Sequence, residues 1–228
     1  MFIDTWYIIL VLPAVLLSLW ASANVNSTFK KYSSVMSHRG ITGAESARRV
    51  LSANGVYDVK IEHISGNLTD HFDPKTNTIR LSDAVYNSTS VAAVGVAAHE
   101  AGHAVQYAEG YAPMKLRAAI IPVTNIGSNL AMPLILLGII MSLPFLAELG
   151  ILAFSFSTLF QLITVPVEFN ASSRAMKAIS AGTTDENEVK GAKKVLKAAA
   201  LTYVAALAVS LANLLRLIMI VNGSRRND

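Results

Sequence analysis

Apolar residues fall into four long runs, and two polar stretches separate them. The first run, 2–23, starts at Phe2, with Trp6 and Tyr7 near one end and Trp20 near the other. These are amphipathic rings of the kind that settle at a bilayer interface. Between residues 118 and 147 there is no charge, Glu148 closes that run, and 149–167 is again free of charge. Asn125, Ser128, Asn129 and Pro133 make the start of this stretch partly polar. The second span is therefore centred on 129–145 and the third on 149–167. Pro144, Glu148 and Gly150 mark the hairpin within 129–167. A fourth apolar run covers 198–221, with Arg216 able to snorkel near its far end.

The polar stretches predict local structure of their own. Residues 24–117 are long enough for a small core. Thr42-Gly43-Ala44-Glu45 is a capping box, opening a helix with Ala44, Ala47, Val50 and Leu51 on one side and Asn54-Gly55 at its end. Residues 59–64 alternate as a half-buried strand does. Asp73-Pro74-Lys75-Thr76-Asn77 is turn chemistry, and 78–82 reads as a second short strand. Ser88 or Ser90 can cap the helix that follows. The second polar stretch, 168–197, begins with Glu168 to Ala175. Thr184-Asp185-Glu186 then caps a helix that passes Lys190, Lys193, Lys194 and Lys197 into the fourth span.

Composition narrows the class. Of 228 residues, 53% are apolar and only 15% charged, a balance that points to an integral membrane protein rather than a soluble domain. Cysteine is absent, which excludes disulfides, thiol catalysis and Cys-ligated metal and leaves His and carboxylate as ligands. The net charge of +4 does not imply nucleic acid, because the basic residues cluster beside the spans without aromatic or Gly-rich interleaving. The charge does set a topology. The 24–117 and 168–197 stretches hold most of the Lys and Arg and must share one side. The other side has Asp4, Glu148 and a tail with Arg225, Arg226 and Asp228. The positive-inside rule places both stretches in the cytosol. Ala21-Ser22-Ala23 resembles a signal-peptide cleavage site, but Met1-Phe2-Ile3-Asp4 is acidic where a signal peptide is basic, so the first span is expected to be an uncleaved anchor.

The candidate chemistry lies in His99-Glu100-Ala101-Gly102-His103. Residues four apart on a helix are roughly 400° around, so the two histidines share a face. Two imidazoles so placed can bind one Zn²⁺, and Glu100 beside them can take a proton from a water that the metal acidifies. The small residues Ala101, Gly102 and Ala104 keep this helix slim where a metal and a partner helix must approach. The expected fold is a mainly α polytopic membrane protein, with about four transmembrane helices and a small α+β zincin-like cytosolic domain.

A catalytic zinc takes a third protein ligand and keeps an open position. A metzincin pattern would need Gly at 106 and His at 109, where the chain has Gln106 and Glu109. Intramembrane zinc proteases use a downstream Asp, and none occurs between Asp83 and Asp185. Glu168 fits as a ligand from a second helix, because small residues Ala171, Ser172 and Ala175 follow it at helical spacing.

Three sequence words, His71-Phe72-Asp73-Pro74, Val96 to Gln106, and Glu168-Phe169-Asn170-Ala171-Ser172-Ser173-Arg174-Ala175, resemble the YugP-like membrane zinc metallopeptidases of bacteria. The similarity covers nearly the whole chain. More distantly it extends to the HtpX-type and prenyl-protein-processing gluzincin proteases. The resemblance implies His99, His103 and Glu168 as zinc ligands and Glu100 as general base. In the relatives an Asp commonly lies four residues after the ligand Glu; here that position is Ser172, so support of the histidines must differ. By the same resemblance, residues 78–82 are an edge strand that could bind an extended peptide, with Ile79, Arg80 and Leu81 as contacts. His71, with Asp70, could orient substrate or stabilise an oxyanion, as could Arg174, although a loop hydrogen bond and a carboxylate or lipid-phosphate pair are the plainer roles. The function expected is an integral membrane zinc endopeptidase acting on membrane-associated or misfolded polypeptides. A non-proteolytic metal-binding scaffold or regulator is the alternative, and it would have no use for Glu100.

Overall fold

The computed structural model describes residues 4–183 and 185–224. Phe2 at the start of the first span, Thr184 of the expected cap, and the tail residues Arg225, Arg226 and Asp228 lie outside the described residues. The protein is mainly α, with six α-helices and one three-stranded sheet among the described residues.

A π-helical stretch, Tyr7–Val11, leads into α1, Leu12–Ser33. This helix continues well past residue 23, where the apolar run stops, because Phe29 and Tyr32 join the core of the polar region. The capping box of α2, Gly43–Ala53, forms as the sequence predicts. Thr42 Oγ1 accepts from the Glu45 N–H at 3.2 Å, and Glu45 accepts from the Thr42 N–H at 2.8 Å. Gly55 ends the helix region with φ +71°, a conformation that costs little only without a Cβ.

The sheet consists of β1 (Lys60–His63), β2 (His71–Asp73) and β3 (Thr78–Leu81), in the order β1-β3-β2. β3 runs parallel to β1 and antiparallel to β2. This corrects the edge-strand expectation for Ile79, Arg80 and Leu81. β3 is the central strand, with backbone partners on both sides, so no peptide can add to it. Ile79 and Leu81 are fully buried, and Arg80 is tied to Asp73 at 2.9 Å and Glu62 at 3.5 Å. β2 escapes the sequence pattern because three residues are too few to show alternation. Its partner is set by the 73–77 turn, where Asp73 accepts from the Lys75 N–H at 2.9 Å and from Thr76 Oγ1 at 2.8 Å. The bridge from Arg80 and these turn bonds hold the Asp73 carboxyl down at about 2.

Helix α3, Val91–Ala108, starts at Ser90, whose hydroxyl accepts from the Ala93 N–H at 3.2 Å. Ser88 instead donates its hydroxyl to Ser90 Oγ. Its alanines are buried on almost every side, which suits a helix at the centre of a small core.

The remaining helices are α4 (Ala112–Ile140), α5 (Pro144–Gly182) and α6 (Glu186–Ser224). The turn between α4 and α5 is at Ser142, with φ +52°, and Glu148 and Gly150 lie inside α5 rather than in the turn. Gly150 serves packing instead: a Cβ there would lie 2.7 Å from the Ala131 carbonyl oxygen. Gly127 makes the same kind of approach to Ala153. α5 also runs on through Pro166. Four helical stretches, Tyr7–Ser33, Ala112–Ile140, Pro144–Gly182 and Glu186–Gly223, are long and apolar enough to cross a membrane.

The chain divides into two compact units. One holds the residues up to Ala21, Lys115–Pro166 and those from Thr202 onward. Within it Arg216 does not simply snorkel; its guanidinium bridges Asp4 at 2.7 Å and lies over the Tyr7 ring. The other holds Ser22–Met114 and Val167–Leu201, and with them the residues singled out by the sequence.

Candidate metal centre

The helical repeat puts His99 and His103 on one face of α3, with their ring centroids 4.7 Å apart. α5 brings Glu168 against that face. Glu168 Oε2 is 3.2 Å from His99 Nε2 and 3.3 Å from His103 Nε2. Zinc bonds of about 2.0–2.1 Å at tetrahedral angles separate neighbouring ligand atoms by about 3.3 Å, so these spacings fit one ion. The donor set of two imidazoles and a carboxylate also suits zinc. Glu168 is only 1% exposed, and a buried carboxylate needs a cation beside it. His103 shows the same field. Burial pushes its imidazole down, but the Glu168 hydrogen bond and the charges of Glu100 and Glu168 more than offset this, and its pKa is raised.

The approach of the two helices depends on Gly102. A Cβ at that position would lie 2.7 Å from the Ala171 carbonyl oxygen, a backbone atom that cannot swing away. Gly102→Ala should therefore force α3 and α5 apart, costing about 1–3 kcal/mol and weakening zinc binding together with stability. Denaturation midpoints and zinc titrations of the purified variant would check this; wild-type values for both would show that the contact is slack.

Around the cluster each imidazole has a second partner. His99 Nδ1 is 3.1 Å from Ser172 Oγ, so the residue standing where relatives carry Asp still touches a histidine, as a hydroxyl. His103 Nδ1 is 3.0 Å from Gln106 Oε1. Glu100 is 9% exposed, and its carboxylate has no hydrogen bond or ion pair among the described residues.

Other sequence candidates are not brought to the cluster. Arg174 Nε donates to Asn170 Oδ1 at 2.8 Å, and its Nη2 bridges Glu109 at 2.7 Å, a pairing that lowers the Glu109 pKa. His71 is exposed on β2, with Nδ1 2.8 Å from the Thr69 carbonyl oxygen. Asp70 does not pair with it but accepts from the Ser82 N–H and hydroxyl, and burial raises its pKa. Gln106 and Asn170 were not expected from the sequence. The signal was a polar side chain one turn beyond His103, on a helix otherwise apolar outside the His99–His103 motif.

A mainly α chain with four membrane-length helices and a His-His-Glu cluster at a His-Glu-x-x-His helix has the construction of a membrane zinc peptidase. Comparison with known families gives the same class: residues 7–222 match the family described as "Putative neutral zinc metallopeptidase", and the chain belongs to that family. It is 51% identical over 223 residues to the "Putative membrane protease YugP" of Bacillus subtilis (strain 168), covering 97% of this chain and 99% of that protein. No solved structure matches it.

Proposed function

We propose that the protein is an integral membrane zinc endopeptidase, with His99, His103 and Glu168 holding the metal and Glu100 as general base. The convergence of those three donors carries the reading. Zinc bound there would supply Lewis acidity, polarising a peptide carbonyl and acidifying a water. Glu100, 9% exposed and without a hydrogen bond or ion pair among the described residues, is suited to accept that water's proton and return it to the leaving amine. Ser172 and Gln106 hold the imidazoles by their far nitrogens, leaving both Nε2 atoms to the metal. A scaffold that only bound metal would have no use for a carboxylate beside the ligands that is not itself one of them. Purified protein should hold one zinc and cleave an unfolded polypeptide internally, with Glu100→Gln as the inactive comparison. Zinc-free protein, or trimming from the ends alone, would overturn the endopeptidase reading.

The substrates we assign are membrane-associated or misfolded polypeptides, reached from the cytosolic face of the plasma membrane. Charge asymmetry supports that orientation. A reporter enzyme inserted near Asn67, in an exposed loop, should be active inside the cytosol, and one fused after Asp228 should be active outside it. The reverse pattern would invert the topology.

A further inference from the structure

For His103 to act as proposed, its Nε2 must present a bare lone pair, and a neutral imidazole does so only with its proton on Nδ1. What faces Nδ1 therefore matters. It is the side-chain amide of Gln106, with Oε1 at 3.0 Å. A free glutamine could turn that amide round and offer its NH₂ instead. Here it cannot. Gln106 Nε2 is 2.9 Å from the Val167 carbonyl oxygen and 2.9 Å from Asn170 Oδ1. A carbonyl only accepts, so the NH₂ must face Val167 and the oxygen must face His103. The Asn170 amide is fixed by the same logic, because its Oδ1 also receives the Arg174 Nε–H at 2.8 Å, and a guanidinium only donates. Arg174 is held in turn by Glu109. Gln106 is 0% exposed, so solvent cannot replace any of these partners.

We infer that Gln106 is a positioning residue: oriented by Val167, Asn170 and Arg174, it locks His103 in the Nδ1–H tautomer and aims Nε2 at the metal. The inference rests on His103 being a ligand, as proposed above. It also makes the two histidines unequal. His99 faces a hydroxyl, which can donate or accept and so imposes no tautomer.

The test is the zinc dissociation constant of the purified full-length protein in detergent, measured by chelator competition, with the melting midpoint recorded beside it. Both Gln106→Leu and Gln106→Glu remove the two bonds from Nε2, and the glutamate also sets an acceptor against the Val167 and Asn170 oxygens, so the melting midpoint records the folding cost of each separately. Only the glutamate keeps an acceptor against His103 Nδ1. Zinc binding should weaken about 10–100-fold in Gln106→Leu, and Gln106→Glu should bind about tenfold tighter than Gln106→Leu. Equal affinities for the two, or wild-type affinity in Gln106→Leu, would overturn the inference. Should neither variant fold, Asn170→Ala and Asn170→Asp replace them. The aspartate keeps an acceptor for both donors, whereas alanine leaves the Gln106 amide held by Val167 alone, so alanine should bind zinc more weakly, by about 3–10-fold. Equal affinities in that pair would overturn it as well. A wild-type protein that binds no zinc would remove the ligand reading itself, and this inference with it.

Discussion

Glu168→Gln should leave a folded membrane protein that no longer holds zinc, while Glu109→Gln keeps its metal. The two glutamates are rivals in sequence, since either could follow a His-Glu-x-x-His helix as third ligand. Their surroundings differ sharply. Glu168 is buried between the two imidazoles, 3.2 and 3.3 Å from their Nε2 atoms. Glu109 is half exposed at the end of α3 and paired with Arg174. Replacing the carboxylate at 168 by a neutral amide removes a charged ligand. Sharing a zinc affinity of roughly 10–16 kcal/mol among its ligands makes that loss on the order of a hundredfold to a thousandfold or more in affinity. At 109 the change removes one surface ion pair, worth about 0–1 kcal/mol. Metal analysis of the two purified variants decides the matter: zinc retained in Glu168→Gln and lost in Glu109→Gln would show that the metal is held elsewhere.

Glu100→Gln should do the opposite of Glu168→Gln, keeping zinc and fold but losing turnover. Glutamine has nearly the same shape and removes no donor from the cluster. It cannot take a proton, so kcat should fall by about 10²–10⁴-fold, the usual contribution of a positioned general base. Glutamine fills the same space and breaks no hydrogen bond or ion pair among the described residues, so the melting midpoint should stay close to that of the wild type. Loss of zinc in this variant would make Glu100 a ligand rather than a base.

These contrasts also show which parts of the site could be read from the chain. The shared face of His99 and His103 follows from helix geometry within five residues, so it needs no tertiary knowledge. Glu168 was reachable because other ligand patterns fail and small residues follow it. The partners of the imidazoles were not reachable in the same way. Gln106 acquires its meaning from Val167 and Asn170, more than sixty residues away, and its place one turn beyond His103 does not reveal those partners. Arg174 illustrates the converse. Its charge and its closeness in sequence to Glu168 suggest an oxyanion partner, yet its guanidinium is used by Asn170 and Glu109. In the sheet, the period-two pattern located β1 and β3 but could not order them. Strand neighbours depend on pairing, and β2, the strand that makes β3 central, is too short to announce itself.

The distance along the chain between the ligands has a consequence for biogenesis. His99 and Glu168 lie sixty-nine positions apart, and α4 and the first part of α5 must be synthesised between them. At about 5–20 residues per second, a ribosome takes roughly 3–14 s to make that stretch. During this interval the nascent chain carries the His-Glu-x-x-His helix with only two of its proposed ligands. On the proposed function, the enzyme would be inert while it is itself an unfinished polypeptide. The proposed centre can close only after α4 and the first part of α5 have been made and Glu168, later in α5, has followed them.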